Sequence, residues 1–117
     1  MELTHEQQMH KLFSAVTELL AKNIEAHIPE TGSFRTVDVG GHIKGSQYHS
    51  SLRVEESYRS ETERRVALGV YRDDDRLVSN YLFHGTKQEV INWLSSPQAL
   101  EEIIAAYEHL EKKVRNW

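Results

Sequence analysis

Val37-Asp38-Val39-Gly40-Gly41-His42-Ile43-Lys44-Gly45-Ser46-Gln47-Tyr48-His49-Ser50-Ser51-Leu52-Arg53-Val54 decides the fold, because it reads as one β-hairpin with a readable register. Gly45-Ser46 fits a two-residue turn with glycine at the first central position, where φ is positive. Placing Lys44 opposite Gln47 pairs Ile43 with Tyr48, Val39 with Leu52 and Val37 with Val54 on one face. The other face then pairs His42 with His49, Gly40 with Ser51 and Asp38 with Arg53. One register yields an apolar face, a polar face and an opposite-charge pair together. Gly40 and Gly41 also permit a bulge in the first strand.

Upstream, Thr4 and Gln7 have capping-box spacing, and Met9, Phe13, Val16, Leu20 and Ile24 recur at three- and four-residue steps. Lys11, Glu18, Lys22 and Glu25 fall on the opposite side, so an amphipathic helix is expected to end near Ala26, before Pro29. Downstream, Glu55 to Glu63 reads either as a twisted continuation of strands or as a loop. Arg64 to Tyr71 alternates as a third strand, Asp73 to Arg76 forms a turn, and Leu77 to Phe83 returns as a fourth. Setting Arg72 opposite Leu77 brings Leu68 to Tyr81 and Val66 to Phe83. Thr86 with Glu89 caps a short helix, and Ser96-Pro97 starts another with its seam at Leu100, Ile103, Tyr107, Leu110, Val114 and Trp117. The expected fold is a single α+β domain over residues 1–117 in two layers: an N-terminal helix, a four-stranded antiparallel meander and two C-terminal helices.

The composition narrows the function classes. The chain has 117 residues, 38% hydrophobic and 27% charged, in the range of a water-soluble globular domain. It carries no cysteine, which removes disulfides, thiolate metal sites and cysteine nucleophiles. A net charge of −4 disfavours a dedicated nucleic-acid binder, which needs a basic field. There is no apolar run of membrane-spanning length and no signal-peptide pattern at the start, so a cytoplasmic location is expected.

The candidate chemistry is thin. His42 and His49, facing across the hairpin, are placed for shared metal ligation, but no third ligand is supplied by spacing. Gly40 to Ser46 has the glycine spacing of a phosphate loop, but serine stands where lysine is needed and a strand follows where a helix must open. Asp73 to Asp75 lacks the spacing of a calcium loop, and no nucleophile elbow supports serine catalysis. No catalytic residue, metal ligand or cofactor is therefore assigned.

The expected function is a small non-enzymatic binding domain that neutralises or regulates a protein partner through the exposed sheet face. The binding residues expected there are Asp38, His42, His49, Ser51 and Arg53, with Tyr58 as an aromatic anchor in the charged stretch. Two other readings remain: a metal-dependent or acid–base enzyme centred on His42 and His49, and a binder of a small apolar ligand lined by Tyr48, Tyr81 and Phe83. The expected partner is a protein, with no nucleic acid and no membrane. The chain itself is expected as a monomer or as a homodimer through Leu110, Val114 and Trp117 of the last helix.

Overall fold

A computed structural model describes residues 2–27, 35–42, 47–57, 60–73 and 75–116; for residues 27, 35–42, 56, 57, 60, 61 and 115 it describes the backbone alone. In chain order the elements are α1 (His5–His27), β1 (Arg35–His42), β2 (His49–Ser57), β3 (Ser60–Arg72), β4 (Asp75–Thr86), α2 (Lys87–Leu94) and α3 (Pro97–Arg115). Each described helix start carries the cap its sequence announces. Thr4 and Gln7 exchange side-chain-to-backbone hydrogen bonds at 3.0 and 3.1 Å. Thr86 and Glu89 do the same at 3.0 and 3.2 Å. Ser96 Oγ accepts from the Ala99 N–H at 3.2 Å, with Pro97 in the first turn. These bonds satisfy N–H groups that a helix start leaves without intrahelical partners.

The helices pack on one side of the sheet. Met9, Phe13, Val16, Leu20 and Ile24 of α1 are buried with Leu52, Val54, Val66, Leu68 and Val70 of the sheet. Val90, Trp93 and Leu94 of α2, with Ala99, Ile103, Leu110 and Val114 of α3, complete this core. Two ring contacts join the layers and the helices: Phe83 stacks on Trp93 at 5.0 Å, and Phe13 meets the edge of Tyr107 at 5.2 Å. The shortest dimension of the molecule is 19 Å, about the thickness of one sheet and one helix layer.

The regular four-stranded meander expected from the sequence is corrected by the pairing. The strand order is β1-β2-β3-β4, but the β1–β2 register breaks between Asp38 and His42. His42 does face His49, while Asp38 faces Ser51, Thr36 faces Arg53, Val37 faces Leu52 and Arg35 faces Val54. The expected pairs Asp38–Arg53, Gly40–Ser51, Val39–Leu52 and Val37–Val54 are therefore not formed. Three residues of β1 separate its paired positions where β2 has one, so β1 takes up two extra residues around Gly40 and Gly41. Among the described residues, the sheet carrying the core is three-stranded and antiparallel, β2–β3–β4, with β1 an interrupted edge against β2. The expected Gly45-Ser46 turn lies outside the described residues.

The second hairpin also departs from expectation. Arg72 faces Asp75 rather than Leu77, and Asp73 sits at φ 53°, in the left-handed region that aspartate tolerates. Val66 faces Phe83 as expected, but Leu68 faces Asn80 and Tyr81 faces Ala67. The register shifts twice along β4, leaving Leu77 and then Leu82 as the extra residues. The shift at Leu82 moves Tyr81 to the face away from the helices, because a one-residue slip inverts the alternation. The described residues of the Glu55 to Glu63 stretch are strand: β2 runs to Ser57, β3 starts at Ser60, and those two residues pair.

Candidate functional site: an arginine cluster on the open sheet face

Side chains that alternate with the core positions project from the other face of the sheet, which no helix covers among the described residues. Its floor is built from small residues on neighbouring strands. Ser51, Gly69 and Ser79 form one row, and Ala67 lies in the next between Arg53 and Tyr81. Ser51, Ala67 and Gly69 are buried although no described helix lies over them, because longer side chains fold across the floor. Tyr71 is one of those covers. A Cβ placed on Gly69 would stand 2.9 Å from Tyr71 Cε2 and 3.1 Å from its hydroxyl oxygen. Gly69 thus lets the tyrosine ring lie flat on the strand, where His49 stacks on it at 5.7 Å between centroids.

Glu55 is the centre of the face. It is 7% exposed, and three arginine side chains reach its carboxylate from three strands. Arg53 Nε lies 3.1 Å from Oε2, Arg65 Nε lies 2.8 Å from Oε1, and Arg76 Nη1 donates to Oε2 at 3.3 Å. The Arg53 and Arg65 contacts have ion-pair distances without the alignment of an Nε–H hydrogen bond. Their attraction is Coulombic, and the low surrounding dielectric strengthens it. The Arg65 guanidinium also lies over the Tyr81 ring, 4.4 Å from its centroid. Desolvation is the largest influence on the Arg76 guanidinium and lowers its pKa. Glu55, the Tyr81 and Tyr71 side chains and the hydrogen bond together outweigh it, so the pKa ends above its ordinary value.

The Glu55–Arg76 contact reports the shape of the sheet. Glu55 is level with Arg65, and Arg76 is level with Tyr71, six residues further along β3. In a flat sheet those levels are roughly 20 Å apart, beyond the joint reach of the two side chains. The sheet must coil so that these corners approach across the open face, and the bulges at Leu77 and Leu82 add the twist this needs.

The residues expected from the sequence are placed as follows. Arg53 belongs to the cluster with Glu55 as an ion partner, and across the ladder its backbone faces Thr36 where Asp38 was expected. Ser51 is on the floor, and His49 stacks on Tyr71. His42 and Asp38 have backbone positions opposite His49 and Ser51, and Tyr58 lies outside the described residues. Glu55, Arg65 and Arg76, which give the face its chemistry, were not among the expected residues, and Tyr81 was expected only as the lining of an apolar pocket. The signal for Glu55 and Arg65 was the alternation of Arg53 with Glu55 and of Arg65 with Ala67, on the side opposite the apolar positions; the faces of Arg76 and Tyr81 depend on the β4 bulges.

Other candidates separate in space. Tyr81 is on the open face, Phe83 is against Trp93 in the core, and half-buried Tyr48 packs at the core margin, so they line no common pocket. Leu110 and Val114 are buried inside this chain, and Trp117 lies outside the described residues. Arg64, unforeseen as a core residue, is fully buried on the helix side, with Nη1 donating to the Glu63 carbonyl oxygen at 3.0 Å. Among the described residues, no group of three or more histidines or acids is placed to hold a metal ion, and no helix is long and apolar enough to cross a membrane. Comparison with protein-family models, curated proteins and solved structures gave no match.

Proposed function

We propose that this chain is a binding domain, without catalytic activity, that recognises a protein partner through the open face of its sheet and thereby neutralises or regulates it. The observation that supports this reading most is the convergence of Arg53, Arg65 and Arg76 on Glu55, between Tyr71 and Tyr81, on a face no described helix covers. Arginine and tyrosine are the residue types that dominate binding hot spots, and here ion pairs and small floor residues hold them in place before any partner arrives. Such preorganisation lowers the ordering cost of association.

The test is a binding titration with a partner captured from the native host, identified and purified. Arg76→Glu is expected to weaken that complex by at least roughly tenfold. Lys22→Glu, on the solvent side of α1, is expected to leave it unchanged. Loss with Lys22→Glu and retention with Arg76→Glu would move the interface to the helices.

A further inference from the structure

Beside the arginine cluster, β4 borders an open depression of about 260 Å³ lined by Arg76, Leu77, Val78, Ser79 and Tyr81. That volume is below the usual range for a whole small-molecule ligand and suits one side chain of a larger one. One feature of its lining asks for an acceptor. The Arg76 guanidinium, about a third exposed, donates only from Nη1, to Glu55, among the described residues. Its remaining N–H groups form one edge of a planar fork, and a carboxylate matches that edge with two parallel acceptors. Exposed Leu77 and Tyr81 flank these donors with apolar surface on which the side chains neighbouring a carboxylate can pack.

We infer that this depression takes a side-chain carboxylate from an acidic segment of a protein partner, with the Arg76 guanidinium as the donor. This rests on the open face being the binding surface. A polyanion such as nucleic acid is the poorer fit, because the site offers one accessible guanidinium and the chain as a whole carries −4. Leu77 and Leu82, the bulged residues of β4, also make its outer edge a poor template for pairing with another strand. Side-chain recognition is therefore the mode the geometry favours over strand addition.

The probes are an N-acetylated hexapeptide alternating glutamate with leucine, its glutamine counterpart, and inorganic phosphate, each titrated to millimolar concentration into isotope-labelled protein. The glutamate peptide is expected to shift the backbone amides of Leu77 to Tyr81. Arg76→Gln should weaken it by roughly tenfold, while the glutamine peptide leaves the spectrum unchanged. No response to the glutamate peptide, equal binding by wild type and Arg76→Gln, or an equal response to phosphate would overturn the inference. Hydrogen exchange on the complex with the purified partner separates the two claims. Protection over β4 with no peptide response leaves the open face standing as the interface and removes the carboxylate; protection confined to the helices removes both.

Discussion

At the scale of single residues, Glu55 holds the open face together. It is buried among three arginines, so its loss leaves like charges facing each other with their compensation gone. Glu55→Ala is expected to cost about 3 kcal/mol in urea unfolding. Arg76→Gln should cost less than about 1 kcal/mol, because that side chain is over a third exposed and water screens its pair. A larger cost for Arg76→Gln than for Glu55→Ala would contradict this. Gly69 makes a second prediction. Gly69→Ala forces the Tyr71 ring off the strand and is expected to cost about 1–2 kcal/mol. In a Tyr71→Leu background that cost should fall close to zero, since the clash is with the ring. Neither residue announced this role in the sequence. Glu55 sat in a charged stretch compatible with strand or loop, and its ion pair with Arg76 spans 21 positions of chain.

At the scale of elements, features that depend on neighbours in sequence were legible and those that depend on the coiling of the sheet were not. The Thr4, Thr86 and Ser96 starts follow from local hydrogen bonding, which a few residues determine. Gly40 and Gly41 marked the bulge in β1, but a register drawn without it set Asp38 opposite Arg53. The bulges at Leu77 and Leu82 carry no glycine and left no local sign. The α2 cap yields a pH prediction. Its Thr86 backbone and side-chain hydrogen bonds hold the Glu89 carboxyl below its ordinary pKa, against a weak opposing effect of desolvation. A pKa lower in the folded than in the unfolded state stabilises the fold above the ordinary carboxylate range, and that stabilisation is lost as pH falls through the lowered value. The difference in Tm between wild type and Glu89→Gln should be constant near neutrality and shrink in acid; a difference independent of pH would exclude the cap as its source. Thr86→Ala should cost about 1 kcal/mol at neutral pH.

At the scale of the molecule, placing every described helix on one side of the sheet leaves the other side without a helix over it. The radius of gyration, 14.2 Å, slightly exceeds the roughly 13 Å of a compact chain of this length, as a flat two-layer body should. The uncovered layer is not left to solvent. Its small floor residues are roofed by Arg53, Arg65, Tyr71 and Tyr81, and coiling draws Arg76 in from the far corner. Two layers and an open polar face could be read from alternation alone. Which charges meet on that face could not, because twist and two bulges decide it. The most direct test of the open face as the interface is the affinity of the purified partner for wild type, Arg76→Glu and Lys22→Glu, with thermal unfolding confirming that each variant is folded. A loss of at least roughly tenfold is expected for Arg76→Glu and no change for Lys22→Glu. Equal affinity of wild type and Arg76→Glu would contradict it.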